Sequence, residues 1–233
     1  MFFFINVSVA DLRLHPEVIF TEDYTHHDAR LSQLSWGDPI FLHKQEGDWL
    51  FVSAVEQLQV KNKRWQPYQG WLHISEVTST PLQTEGTCSF TKRIEIKKLL
   101  KGSELFLHLP YLWGGCSPPI AGKIASVDCS GLIYQLFKKQ GKLIPRDAHD
   151  QYLAATPIPT PQSGDLLFLT SLKMQEKRMT HVMMLYDNEH YLEAPESGKK
   201  VRFLRRGSDI WQENGLFRIF DRDKLYHGYF GHI

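Results

Sequence analysis

Apolar and polar positions change rhythm along the chain. From Phe4 to Val77 short apolar runs are broken by turn residues. Ser8-Val9-Ala10-Asp11-Leu12-Arg13-Leu14 alternates loosely, Gly37-Asp38-Pro39 precedes Ile40-Phe41-Leu42, and Glu46-Gly47-Asp48 turns into Trp49-Leu50-Phe51-Val52. Gly70-Trp71-Leu72-His73-Ile74 closes the series. This rhythm predicts a small all-β unit over residues 1–79. The apolar start Met1–Val7 reads as a first strand or a packing arm, and Lys61-Asn62-Lys63-Arg64 as a solvated loop. A polar, turn-rich stretch from Thr78 to Thr87 predicts the linker to a second domain, residues 80–233.

In the second domain the spacing lengthens. Lys92 to Leu109 reads as a helical stretch broken near Gly102-Ser103. Leu132, Ile133, Leu136 and Phe137 predict a helix that opens near Ser130, with Cys129 at its mouth, and stops at Gly141. Cys116 to Val127 reads as a loop. After Pro145-Arg146-Asp147 a second helix carries Gln151, Tyr152 and Ala155, with Asp147 as a candidate N-cap. Three prolines hold Thr156–Pro161 extended. Asp165–Leu169, His181–Tyr186 and Tyr191–Ala194 predict adjacent antiparallel strands, closed by strands at Val201–Phe203 and Phe217–Phe220.

Composition narrows the function classes. Among 233 residues, 27 basic and 26 acidic side chains leave a net charge of +1, so no global field points to nucleic acid or an anionic membrane. No run approaches the roughly 18 apolar residues of a membrane helix. The N-terminus lacks a basic region and a small-residue cleavage site, so a cytoplasmic setting is expected. Three cysteines, Cys88, Cys116 and Cys129, form no C-x-x-C pair and no zinc-like cluster with histidine. Neither a disulfide framework nor a metal site is implied. Cys116 is a bystander thiol or a redox partner of Cys129.

Cys129 stands out by position. A helix N-terminus carries partial positive charge and unpaired N–H groups, which lower a thiol's pKa and offer donors to an oxyanion. A buried structural cysteine is the competing reading. His181, at the head of an apolar strand, changes the balance, because a cysteine with a sequence-distant histidine is the pattern of a nucleophile and its base.

Tyr111-Leu112-Trp113-Gly114-Gly115, Asp128-Cys129-Ser130-Gly131-Leu132, Pro145-Arg146-Asp147, Gly164-Asp165-Leu166-Leu167-Phe168 and His181-Val182, in this order, resemble the NlpC-type cell-wall peptidases, which are papain-like bacterial cysteine peptidases. Leu34-Ser35-Trp36-Gly37-Asp38, Gly47–Val52 and Gly70-Trp71-Leu72 resemble a bacterial SH3 domain. The resemblance implies an α+β protein, a papain-like antiparallel sheet with packed helices, preceded by a small all-β SH3-like barrel. Cys129 is then the nucleophile and His181 the base. Glu193, twelve positions after the base, orients it. His190 competes for that third role, but an offset of three puts the two on opposite strand faces. Tyr111, Asp147, Ser130 and Tyr68 are implied in substrate binding, and Ala148 stands where the family has serine. The glycines of the first motif are expected to let the backbone pass close to substrate.

The implied reaction is hydrolysis of the γ-D-Glu–diamino acid amide in peptidoglycan stem peptides with a free N-terminal L-Ala, through a thioester. It needs no cofactor, and the expected state is a monomer with no nucleic-acid or membrane partner. An acyltransferase or transglutaminase-like enzyme on the same Cys-His scaffold, and a non-catalytic wall-binding protein, are the rival classes.

Overall fold

The computed structural model describes residues 1–16, 29–82, 88–119, 125–172, 177–222 and 224–233. Parts of the expected linker and of the Cys116–Val127 loop fall outside them.

The first seven strands are β1 (Phe2–Ile5), β2 (Val9–Arg13), β3 (Arg30–Ser35), β4 (Pro39–Glu46), β5 (Trp49–Lys61), β6 (Arg64–His73) and β7 (Val77–Thr78). They form one antiparallel sheet in the order β3-β2-β6-β5-β4-β1-β7. Ile5, Leu12, Leu34, Ile40, Val52, Leu72 and Val77, one from each strand, share a single core, so the sheet wraps around its own interior. The basic run 61–64 makes the two-residue turn of the β5–β6 hairpin. Asn62 and Lys63 both have positive φ there (53° and 58°), as a type I′ turn demands.

The remaining elements are three helices, α1 (Ile96–Ser103), α2 (Cys129–Lys139) and α3 (Ala148–Ala154), and eight strands. The strands are β8 (Thr156–Pro157), β9 (Leu166–Ser171), β10 (His181–Leu185), β11 (His190–Glu193), β12 (Arg202–Arg205), β13 (Ile210–Glu213), β14 (Leu216–Ile219) and β15 (Lys224–His232). Their order is β12-β11-β10-β9-β15-β14-β13, with β8 added on β15. Alternation along β9 and β10 feeds two cores. Leu166, Phe168, Val182 and Met184 pack with Leu132, Ile133 and Leu136 of α2, whereas Leu167, Leu169, Met183 and Leu185 face Tyr191, Phe217 and Ile219.

Besides the two-residue β7, the strands β3, β13 and β15 were not expected from the pattern. β3 is polar, and its buried Ser32 and Gln33 reach across to the second half, accepting from Arg146 Nε (2.9 Å) and from the Cys116 amide (3.0 Å). β15 carries two glycines, which weaken a strand signal. A Cβ on Gly228 would lie 2.1 Å from the Phe217 ring, so the residue that hides the strand is the one that lets it pack. Short β13 is carried by its hairpin partner β14.

The halves are joined by polar contacts. Arg146 N–H donates to Leu58 O (3.0 Å), Val60 N–H to Asp150 Oδ2 (2.9 Å), and buried Lys138 reaches Asp38 (2.6 Å) and Glu56 (2.7 Å).

Candidate active site

The N-terminus of α2 is built before its thiol is placed. Asp128 is the N-cap, accepting from the Gly131 amide at 2.6 Å. Arg146, 1 % exposed, clamps both oxygens of that carboxylate at 3.0 and 2.8 Å. The same guanidinium reaches Ser130 Oγ (3.0 Å), Gly115 O (3.1 Å) and Ser32 Oγ. Arg146 therefore ties β3, the Gly115 turn and α2 into one rigid corner. Sequence reasoning gave it no role; its place in Pro145-Arg146-Asp147 was the only signal.

A Cβ on Gly131 would sit 2.1 Å from Gly115 O, and Gly114, at φ +71°, abuts Arg30. Gly131 lets α2 press against the Gly115 backbone, while Gly114, of the motif expected to pass close to substrate, lines the cleft of Cys129.

Cys129, the first residue of α2, is buried, and the amides of Val182 and Ser130 hydrogen-bond its sulfur. Val182 follows His181, so the thiol lies against the strand that carries the histidine. Burial pushes the thiol up to about 12, the Asp128 charge adds to the rise, and the two amides and Arg146 only partly oppose it. In the closed site burial thus works against the lowered thiol pKa expected at a helix terminus.

His181 Nε2 bonds Glu193 Oε2 at 2.9 Å. That leaves Nδ1 as the free ring nitrogen. Burial lowers the His181 pKa, while the Glu193 hydrogen bond pulls the other way. Glu193 is fully buried. Burial alone would raise it, but His181, Arg222 and Arg202 together bring it down to about 2. His190, three residues earlier and half-buried, turns instead to Asp187 (2.9 Å).

Asp147 occupies the N-cap position of α3 but makes no capping bond. Its carboxylate accepts from the hydroxyl of Tyr68, on β6 of the first sheet. Burial and the Asp147 charge push the Tyr68 pKa far up, so the phenol stays a donor. Tyr68, Tyr111, Cys129, Ser130, Asp147 and Ala148 line one cleft of about 660 Å³. Burial also raises the Tyr111 pKa. The Ser130 hydroxyl lines the cleft while donating to Asp128 (3.2 Å). Cys116 lies apart in the core beside Gln135, and burial pushes its thiol up to about 11.

A thiol at a helix N-terminus, bonded by the amide next to a histidine that a carboxylate holds, offers the group types that acyl transfer through a thioester uses. Residues 108–218 match the model of the NlpC/P60 family. It is 27% identical over 198 residues to the γ-D-glutamyl-L-lysine dipeptidyl-peptidase of Bacillus subtilis, covering 82% of this chain and 61% of that one. It is 32% identical over 107 residues to the bifunctional muramidase/DL-endopeptidase CwlT of B. subtilis, covering 45% and 30%. Against the probable endopeptidase YafL of Escherichia coli the identity is 27% over 191 residues, covering 78% and 67%. The chain thus spans less than two thirds of the first two relatives. A crystal structure of an NlpC/P60 family protein from Bacillus cereus shares the fold over 98% of both chains, at TM-score 0.74 and 18% identity.

Proposed function

We propose that this protein is a cysteine peptidase that cuts the amide between γ-D-Glu and the diamino acid of wall-derived peptides with a free N-terminal L-Ala. In this reading residues 1–79 are an SH3-like domain and residues 80–233 a papain-like catalytic domain. Relatives named as γ-D-glutamyl-L-lysine dipeptidyl-peptidase and as peptidoglycan endopeptidases support the substrate class. One observation carries the finer claim: Asp147 leaves its helix uncapped and faces the cleft of Cys129, held there by Tyr68. A fixed, partly buried carboxylate at that place suits a substrate ammonium.

In the proposed reaction Cys129 Sγ bonds the γ-carbonyl carbon while its proton passes to His181 Nδ1. The oxyanion forms at the N-terminus of α2, where the first N–H groups have no partner within the helix. Collapse breaks the C–N bond, and His181 returns the proton to the leaving amine. Water, giving a proton to His181, then opens the thioester and releases the acid and the thiol. Asp147 and Tyr68 hold the amine, and Tyr111 lies along the cleft beside the sulfur.

The test is cleavage of L-Ala-γ-D-Glu-L-Lys and its diaminopimelate counterpart, with free and acetylated N-termini, followed by product mass. The free peptides should yield L-Ala-γ-D-Glu. Acetylation should slow cleavage at least about 100-fold, since stranding a buried charge costs about 3–5 kcal/mol. Equal rates would remove the amine pocket; cleavage that survives Cys129→Ala would remove the nucleophile.

A further inference from the structure

Glu193 has more partners than orienting a base requires. Its Oε2 meets His181 and also Arg222, from the turn Phe220–Arg222; its Oε1 takes Arg202 Nε (3.1 Å) and Nη2 (2.9 Å) from β12. The two arginines are not equivalent. Arg202 is about one third exposed and shares its charge with Asp221 (2.8 Å), which also holds Lys199 (2.9 Å), itself bonded to Glu196. Arg222 is 4 % exposed, and Glu193 is its sole carboxylate partner among the described residues. It therefore sets a buried guanidinium on the very oxygen that binds the imidazole.

A lone buried carboxylate would draw a bonded imidazole towards imidazolium. We propose that Arg222 is a positioning residue that cancels the Glu193 charge, so that the carboxylate fixes the His181 ring while leaving it neutral, ready to take the Cys129 proton during attack. This rests on the assignment of Cys129 and His181 above. The groups that act on the ring agree: burial and Arg222 oppose imidazolium, while Glu193 from β11 and Glu196 favour it, and Cys129 from α2, bonded by the amide of Val182 next to His181, is a high-pKa thiol. Tyr226, from β15, lies against Arg222 and keeps its proton.

The test has two arms. His181 is titrated by NMR in a Cys129→Ala background, which uncouples the thiol and needs no substrate. Arg222→Gln should raise its midpoint by about one pH unit, a tenfold change in proton affinity, and Arg222→Lys should restore it. Glu193→Gln, with Arg222 in place, should move the midpoint down, which keeps the idea testable if Arg222→Gln does not fold. With Cys129 restored, the acid limb of kcat/KM on the free tripeptide should move up by the same amount in Arg222→Gln. An unchanged midpoint in Arg222→Gln, or a raised one in Glu193→Gln, overturns the proposal. Absence of cleavage by the native protein would instead overturn the peptidase reading and leave the titration to decide the role of Arg222.

Discussion

A phenol that cannot ionise at any ordinary pH has only a proton to offer a carboxylate. That is the relation of Tyr68 to Asp147, and removing it has a definite expected outcome. Tyr68→Phe leaves the aromatic body in its core and frees Asp147 to swing. Hydrogen bonds to charged groups contribute about 1.5–3 kcal/mol, so kcat/KM on free-amine tripeptides should fall about 10- to 100-fold. Selectivity over acetylated peptide should fall with it, and steady-state assays on the paired peptides check both. Cys129, His181 and Asp147 were legible as candidates because each sits in an ordered motif, and Glu193 by its distance of twelve positions from His181. Arg146 and Arg222 were not, because their roles exist only through contacts that folding creates; Arg146 meets Ser32 across 114 positions. Tyr68 was legible only through the resemblance of the first sheet, since nothing near it in the chain marks it as facing a carboxylate.

Elements sort the same way. β9, β10 and β11 announced themselves as apolar runs, buried on two faces, at the spacing of adjacent strands. β3 stayed hidden because its inward side chains are polar and answer polar groups of the other half. The start of α2 was predicted within a residue, but the burial that acts on Cys129 beside that terminus was not. Position along a helix is a local property, whereas desolvation depends on everything packed around the end. The tightest constraint on that helix is Gly131. Gly131→Ala would place a methyl into the Gly115 carbonyl and drive α2 from its corner. Overpacking of this kind costs about 1–3 kcal/mol, so the unfolding midpoint in urea should fall and Cys129 should lose its alignment with His181. A variant with native stability and native turnover would show that the corner yields.

At the scale of the whole molecule the cleft belongs to neither sheet alone, and the contacts that join the halves set its shape. One of them titrates. Burial raises the Asp150 carboxyl from 3.8 to about 6, against the Val60 hydrogen bond, which lowers it. The folded protein thus binds this proton more tightly than the unfolded chain. The Asp150 contribution is most favourable below pH 3.8 and declines as pH rises to about 6. Asp150→Asn keeps an acceptor for Val60 and removes that slope. Urea unfolding at acid and neutral pH should find the variant's gain in stability larger at neutral pH. An equal gain at both would place the raised pKa elsewhere.

The order in which the strands are made gives β15 a further meaning. Of all the strands in either sheet it leaves the ribosome last, yet it lies between β9 and β14, next but one to the strand that begins with His181. A nascent chain that has already delivered its thiol and its imidazole still has an open edge along β9. The arginine that shares Glu193 is translated only just before that strand. A chain halted before Arg222 therefore carries Cys129, His181 and Glu193 but neither the buried arginine of Glu193 nor the strand that pairs with β9.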